Sequence, residues 1–207
     1  MSVGYISGAG DEIPAALGQL GHKVTMLSDE ELETGDLRRF DVIVAGARAY
    51  NTRERLRRSN ARLLEYVFAG GRYVVQYSTR QQSNPFQIGP YPFKITGDRV
   101  SVENAPVTLT DPKHPLLSTP NAITAADFEG WVQERGLYFA GEWDAAYETP
   151  LECHDPGDEP RKGSLLFARY GKGYFVYTGF SFFRQLPAGV PGAYRLFVNL
   201  ISQDAGR

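Results

Sequence analysis

Residues 41–46 read Asp-Val-Ile-Val-Ala-Gly, and residues 72–77 read Arg-Tyr-Val-Val-Gln-Tyr. Both runs are short, apolar and rich in β-branched residues, which is typical of strands buried on both faces of a sheet. Between them, apolar residues recur at the three- and four-residue spacing of a helix, at Leu56, Leu63, Leu64, Val67 and Phe68. Gly70 and Gly71 then end the helix. A strand–helix–strand unit with short connections requires parallel strands and a right-handed crossover.

The residues before this unit extend the same pattern. Strands are predicted at 3–7 and 23–27, and each is followed by a helix, one beginning after Asp11 and the next after Ser28 or Asp29. The order through the second quoted run is β-α-β-α-β-α-β. This order predicts an α/β fold with a mostly parallel sheet and helices on both of its faces.

Proline and glycine become frequent after Arg80, so the segment 81–162 is predicted to be an irregular, β-rich insertion. Within it the sequence predicts short strands and the beginning of one helix. The predicted strands are 99–102, 107–109, 136–139 and 148–153, and the helix begins within 125–131.

The pattern of strong strands returns after the insertion. Residues 164–170 and 174–178 flank Gly171-Lys172-Gly173, which predicts a β-hairpin, and a closing helix is predicted at 193–201. These late strands need the first sheet as a pairing partner. The sequence therefore predicts a single domain over residues 1–207.

The composition excludes several classes of protein. With 207 residues, 42% of them hydrophobic, and a formal net charge of −2, the chain has enough apolar residues for one core and no broad attraction for nucleic acid or an anionic membrane. No apolar run approaches the ~20 residues of a membrane helix, and no basic-then-apolar leader is present, so we expect a soluble chain without a targeting segment. The abrupt start at Met1 fits either a complete small protein or a domain cut from a longer one.

The carboxyl ends of parallel strands form the usual ligand-binding edge of such a sheet, and several polar loops are expected there. Guanidinium groups bind carboxylates and phosphates, and a tyrosine ring offers a face to a sugar. The predicted ligand-binding residues are Arg48, Tyr50, Asn51, Thr79, Arg80, Asn84, Arg184 and Gln185. Pairing of Arg48 or Arg80 with an acidic residue is an alternative that the sequence leaves open.

Other candidate motifs are weaker. Gly8-Ala9-Gly10-Asp11 precedes a helix, where backbone N–H groups attract anions, but a dinucleotide-binding loop needs a third glycine where Ile13 stands. A tight turn followed by a helix cap is the favoured interpretation. Cys153 and His154 are neighbours on a predicted strand and point to opposite faces, so Cys153 is interpreted as a buried thiol. Because no metal-ligand spacing occurs either, no metal, cofactor or catalytic residue is predicted.

Several motifs together carry a family resemblance. The first motif, 64–71, ends a helix and leads into a strand. The next is Asp111-Pro-Lys-His-Pro-Leu116, which is followed by Asp127-Phe128 and by 134–138. The last motif is 170–173. This arrangement resembles the class I glutamine amidotransferase-like fold and, within it, the ThuA-like group. The resemblance implies a flavodoxin-like sheet. The amidotransferases carry a nucleophilic cysteine in the stretch that corresponds to 75–79, which contains none here.

The amino-acid sequence at 4–13, 49–52, 84–93 and 183–194 is similar to the C-terminal region of large bacterial LmbE/PIG-L-type deacetylases. The zinc-binding motif of those enzymes is absent from this sequence. The resemblance therefore implies a non-catalytic accessory domain whose partner is the catalytic deacetylase domain of the same parent chain. It also implies a carbohydrate ligand and an extracytoplasmic location.

Three hypotheses follow from the sequence. The first is a module that binds a glycoconjugate, or docks the catalytic domain, through the predicted ligand-binding residues. The second is a ThuA-like hydrolase or isomerase that acts on sugars and uses His114 with Asp111, or Glu134, as acid and base. The third, a purely structural or oligomerising domain, has no positive marker in the sequence, and the oligomeric state is left open.

Overall fold

The computed structural model describes residues 1–80 and 87–203. The strands are β1 (Ser2–Ile6), β2 (Lys23–Met26), β3 (Val42–Ala45), β4 (Arg72–Gln76), β5 (Phe93–Ile95), β6 (Arg99–Val100), β7 (Val107–Leu109), β8 (Gly136–Leu137), β9 (Ala140–Trp143), β10 (Leu151–Cys153), β11 (Leu165–Tyr170) and β12 (Gly173–Thr178). The α-helices are α1 (Ile13–Gln19), α2 (Asp29–Thr34), α3 (Ala49–Thr52), α4 (Glu54–Arg58), α5 (Asn60–Phe68), α6 (Pro115–Ser118), α7 (Phe182–Gln185) and α8 (Pro191–Ser202).

A six-stranded sheet in the order β11-β12-β4-β3-β1-β2 forms the centre of the molecule. Neighbouring strands from β12 to β2 run parallel, and β11 pairs antiparallel with β12 at one edge. The fold is a mixed α/β, flavodoxin-like fold, as the sequence predicts. Because β1, β3, β4 and β12 are parallel, the loops that follow them meet at one edge of the sheet.

The sheet separates two hydrophobic cores. Helices α1 and α8 cover one face, where Leu17 and Phe197 are buried, and α2, α4 and α5 cover the other, where Leu32 and Leu63 are buried. Residues of β4 alternate between the cores, since Val74 faces the first and Val75 the second. Burial on both faces explains the continuous apolar runs at 41–46 and 72–77.

Local signals place several element boundaries. Ser28 caps α2 with a capping box: its hydroxyl accepts from the Glu31 N–H, and the Glu31 carboxylate accepts from the Ser28 N–H. The helical pattern between β3 and β4 is interrupted at Ser59, so α4 and α5 are separate helices. Phe68 belongs to the apolar helical pattern, but as the last residue of α5 it is 58% exposed and makes an edge-to-face ring contact with Tyr170.

The insertion is built from short strand pairs, β5 with β9, β6 with β8, and β7 with β10. The predicted bounds of β7 match the observed ones, whereas the strands predicted for β6, β8 and β10 are longer than those observed. Strands β5 and β9 lie in segments for which no strand is predicted. The helix expected within 125–131 is a 3-10 turn at Ala125–Phe128. A bridge between Gly136 and Phe180 attaches this region to the end of β12.

The predicted hairpin and closing helix are both present, as β11–β12 and α8. Tyr170 lies opposite Gly173, so Gly171 and Lys172 form the two-residue turn, and Gly171 has φ +60°. Residues 1–80 and 87–203 contain no helix with the combination of length and hydropathy that a membrane span needs.

Candidate functional site

The loops that follow β3, β4 and β12 converge at the carboxyl edge of the sheet, together with the segment around β8. We use the name Tyr77 site for the side chains that surround the Tyr77 phenol there. The Tyr77 site consists of Arg48, Tyr77, Glu134, Tyr138, Phe183 and Arg184.

Aromatic rings form the floor of the Tyr77 site. The rings of Tyr77 and Tyr138 are stacked, with centroids 5.7 Å apart and planes 12° apart. Phe183 lies on another side of Tyr77, 5.4 Å away between centroids. Tyr138 and Phe183 are half-buried, so part of this aromatic surface is open to solvent.

Close backbone contact brings Tyr138 to this position. The Leu137 N–H donates to the Gly179 carbonyl oxygen at 2.9 Å, and Gly136 bridges to Phe180. A Cβ atom on Gly136 would lie 2.3 Å from the Gly179 oxygen, so a larger residue at 136 would push the segment away from β12. The backbone carbonyl oxygen of Tyr138 in turn accepts a 2.6 Å hydrogen bond from the Tyr177 hydroxyl.

Arg48 lies at the start of α3, directly after the β3 loop. Its backbone is left-handed, with φ 61°, and its N–H donates to the Tyr77 carbonyl oxygen at 2.8 Å. The side chain is exposed. No ion pair or side-chain hydrogen bond joins the Arg48 guanidinium to another residue of the described part of the chain.

Arg184 and Glu134 form an ion pair beside the tyrosines, with the Arg184 Nε atom 2.7 Å from the Glu134 Oε1 atom. The Arg184 guanidinium also lies 4.8 Å from the centroid of the Phe183 ring. Burial raises the pKa of Tyr77. The guanidinium groups of Arg48 and Arg184 oppose that shift, whereas Glu134 adds to it. All three charges therefore lie within electrostatic range of one phenol.

Backbone strain is concentrated at this position. In the described part of the chain, the non-glycine residues with left-handed φ are Arg48, Gln133 and Tyr138. Two of them belong to the Tyr77 site and the third precedes Glu134. Such conformations cost on the order of 1–3 kcal/mol each and are concentrated at functional sites in proteins.

The crevice between β1 and β3, the usual ligand position in this topology, is closed by loop packing. The Ala9 N–H donates to the Ala47 oxygen at 2.9 Å, and a Cβ atom on Gly8 would lie 2.1 Å from the same oxygen. The Asp11 carboxylate accepts from the Tyr5 hydroxyl at 2.6 Å and from the Ile13 N–H at 3.1 Å. The segment 8–11 is thus a tight turn, in line with the favoured interpretation of the sequence.

The other predicted ligand-binding residues are distributed unequally. The Thr79 N–H donates to the Asn51 Oδ1 atom at 2.8 Å, so Asn51 joins the β3 and β4 loops through its amide. Arg80 is exposed on the same loop as Thr79. Asn84 lies outside the described residues.

The prediction needs correction at Tyr50 and Gln185, which lie in the interior and not at the surface of the crevice. Tyr50 is fully buried, and its hydroxyl contacts Asn60 at 2.5 Å and Tyr73 at 2.8 Å. Gln185 is also fully buried, and its side-chain amide forms hydrogen bonds with backbone groups of Val132 and Glu134. The sequence placed both in polar loops, but each belongs to a helix that turns it inward.

Of the residues of the enzyme hypothesis, His114 and Asp111 share one turn, where the His114 N–H donates to the Asp111 carbonyl oxygen at 3.0 Å, whereas Glu134 belongs to the Tyr77 site. The buried His114 ring caps α6, with Nδ1 accepting from the Leu116 N–H at 3.2 Å and Nε2 3.2 Å from the Glu148 carboxylate. Burial lowers the pKa of His114. Within the described residues, no hydrogen bond, ion pair or ring contact joins His114 to Glu134. Asp111 holds its own turn by accepting from the Lys113 N–H.

Two further groups lie away from the Tyr77 site. Cys153 is buried, as the sequence predicts, and burial raises the pKa of its thiol to about 12. A concavity of about 530 Å³ lies between α2 and α5 and is lined by Asp36, Arg62 and Glu65 among others. The Arg62 guanidinium there already donates to the backbone oxygens of Leu32 and Gly35, so the concavity offers few free donors.

Sequence reasoning missed the two stacked tyrosines as site residues. Tyr77 lies within a stretch recognised as a strand end, and its position directly after β4 is a usable signal. Tyr138 lies in the irregular insertion, and only the bridge from Gly136 to Phe180 brings it to the sheet. No local sequence signal gives that contact.

Comparisons with known proteins concern the fold. Neither a protein-family model nor a curated protein matches the sequence. A cytoplasmic protein from Salmonella typhimurium matches the structure with a TM-score of 0.60 at 15% identity, over 97% of this chain and 98% of that chain. A putative ThuA-like protein from Parabacteroides merdae matches with a TM-score of 0.51 at 12% identity, over 99% and 92%. The chain shares its fold with a ThuA-like protein.

A β-galactosidase from Rahnella sp. R3 also matches, with a TM-score of 0.60 at 16% identity, over 96% of this chain. The match covers 30% of the β-galactosidase chain. This fold therefore occurs both as nearly a whole chain and as a part of a much longer one. At these identities the comparisons establish the fold alone.

Proposed function

We propose that this chain is a non-catalytic, carbohydrate-binding accessory module whose ligand lies on the Tyr77 site. The observation that carries the proposal is the stacked pair of Tyr77 and Tyr138, flanked by the guanidinium groups of Arg48 and Arg184. An aromatic face packs against the apolar C–H face of a sugar ring, and guanidinium N–H groups donate to its oxygens. The occurrence of the fold within a β-galactosidase is consistent with this role.

The finer proposal concerns the partner. We propose that the module is attached to the catalytic domain of an LmbE/PIG-L-type N-acetyl-sugar deacetylase in the same parent chain, where it binds a glycoconjugate or docks that domain. This part rests on the sequence resemblance at 4–13, 49–52, 84–93 and 183–194. The extracytoplasmic location has the same basis.

A binding experiment tests the proposed function. The chain is titrated calorimetrically with methyl glycosides and with N-acetylglucosamine oligosaccharides, and Tyr138→Ala is compared with Tyr170→Ala. Tyr170 is a half-buried tyrosine at the opposite edge of the sheet and provides the matched control. Loss of the stacked ring is expected to weaken binding about five- to tenfold, whereas the control binds like the parent. The proposal is wrong if no saccharide binds, or if both variants lose affinity equally.

A further inference from the structure

The Tyr77 site has a surplus of positive charge on a protein whose net charge is −2. Glu134 is the carboxylate of the site, and its charge is balanced by Arg184 at 2.7 Å. The Arg48 guanidinium has no ion-pair partner in residues 1–80 and 87–203. Arg80 is exposed on the adjoining loop. The site therefore presents one uncompensated guanidinium, that of Arg48.

The backbone fixes where the Arg48 side chain begins. Its N–H is bound to the Tyr77 oxygen, and its left-handed φ of 61° would be cheaper for glycine. An arginine in such a position keeps a charged side chain next to the aromatic rings at some cost to stability. This cost is understandable if the guanidinium has a ligand.

Arg184 also has donors to spare. Its Nε atom donates to Glu134, and its plane lies beside the Phe183 ring. No hydrogen bond from its terminal nitrogens is formed within the described residues. A guanidinium has five N–H donors in a fork that matches the two oxygens of an oxyanion.

From this arrangement we infer that the ligand is an anionic saccharide, whose ring packs on the half-buried Tyr138, which is stacked on the buried Tyr77, and whose carboxylate, sulfate or phosphate group is bound by Arg48 and Arg184. This inference rests on the proposed function and specifies its ligand. A neutral sugar would leave the charge of Arg48 without a counter-charge, whereas an oxyanion would pair with it.

Calorimetric titration with four probes tests the inference: methyl glucoside, methyl glucuronoside, glucose 6-phosphate and inorganic phosphate. We expect the glucuronoside or the sugar phosphate to bind at least about tenfold more tightly than methyl glucoside, the range for hydrogen bonds to a charged group. The tighter of the two identifies the oxyanion. The difference is expected to shrink as salt is raised.

Arg48→Gln is expected to abolish the preference for the anionic sugar, whereas Arg38→Gln is expected to retain it. Arg38 is an exposed arginine at the opposite edge of the sheet, paired with Asp36. Circular dichroism of both variants checks that they are folded.

The outcomes separate the two proposals. Equal affinity for methyl glucoside and for the anionic sugars would overturn the inference and leave the proposed function standing. Binding of inorganic phosphate as tightly as glucose 6-phosphate would also overturn it, because the ring would then contribute nothing. Failure of every saccharide to bind would overturn the proposed function itself.

Discussion

Arg48 and Tyr138 show how single residues are held in costly conformations at the candidate site. Both have left-handed φ, 61° and 56°, and each is fixed by a hydrogen bond to or from its backbone. The Arg48 N–H donates to Tyr77, and the Tyr138 oxygen accepts from Tyr177. The strain at these residues is balanced by contacts with the ends of β4 and β12.

The cost at Arg48 gives a prediction that separates stability from binding. Arg48→Gly and Arg48→Gln both remove the guanidinium and are expected to lose the anionic ligand equally. Since glycine adopts left-handed angles freely, Arg48→Gly is expected to be more stable than Arg48→Gln by about 1 kcal/mol. Urea unfolding measures the difference. Equal stabilities would show that the left-handed backbone at Arg48 carries no strain.

His114 gives a prediction about pH. Its pKa is lowered by burial, although Glu148 and Asp111 oppose the shift, so the native state favours the neutral ring. As pH falls from 7 through the unfolded value of about 6.5, the unfolded chain takes up the proton more readily and stability decreases. For one proton the slope is at most about 1.4 kcal/mol per pH unit. The pKa of His22 is lowered as well, which adds a loss of the same sign.

The variant for this test is His114→Asn, which keeps an acceptor at the start of α6 and removes the titrating group. Urea unfolding between pH 7.5 and 5.5 is expected to show a shallower decline in the variant than in the parent. A decline of the same slope in both would exclude His114 as its source.

At the scale of elements, the sequence predicts what depends on local pattern and misses what depends on distant contacts. The buried runs at 41–46 and 72–77 and the hairpin at 164–178 are found from the composition of neighbouring residues. Strands β5 and β9 lie among breakers and polar residues and are stabilised by each other. Their pairing joins segments about 48 residues apart in the chain, which is the separation of Lys94 and Glu142, whose side chains form a hydrogen bond across the pair. No local sequence pattern predicts this pairing.

The turn of the β11–β12 hairpin carries a prediction at this scale. Gly171 has φ +60°, and a Cβ atom there would lie 2.4 Å from the Phe68 oxygen. Gly157 has φ +92°, and a Cβ atom on it would have no atom within 4 Å. Gly157→Ala is therefore expected to cost about 1 kcal/mol from backbone strain alone. Gly171→Ala is expected to cost about 2 kcal/mol or more, because α5 must also shift.

Urea unfolding of the two variants measures this comparison directly. Since both glycines have positive φ, the difference between the variants reports the packing of the turn against α5. Equal losses of stability would contradict the close approach of Gly171 to Phe68.

At the scale of the whole molecule, the last strands complete a sheet that the first residues begin. Strand β12 is buried along its length between β4 and β11, although about a hundred residues separate β4 from it. Residues 1–80 therefore lack the strand and the helix α8 that cover β4. We expect the full chain to unfold in one cooperative transition, and the fragment 1–80 to show none. Coincident circular dichroism and tryptophan fluorescence curves would support this prediction, and two separate transitions would contradict it.

The geometry of the whole sheet also determines how much of the candidate site can be predicted from the sequence. The rule that loops meet at the carboxyl edge is a property of the whole sheet, and it predicts Arg48 and Arg184 at one edge, where both lie near Tyr77. It does not give the direction of a side chain. Tyr50 and Gln185 lie in the short helices α3 and α7 and point inward, while Tyr138 comes from the insertion.

The proposed saccharide lies on Tyr138 in the Tyr77 site, at the carboxyl edge of the sheet. The most direct measurement is an NMR titration of the ¹⁵N-labelled chain with methyl glucuronoside, following backbone and arginine Nε resonances. If the saccharide binds at the Tyr77 site, the largest shifts are expected on Arg48, Tyr77, Tyr138 and Arg184. Shifts centred on Phe68 and Tyr170 at the opposite edge, or no shifts at any concentration, would contradict it.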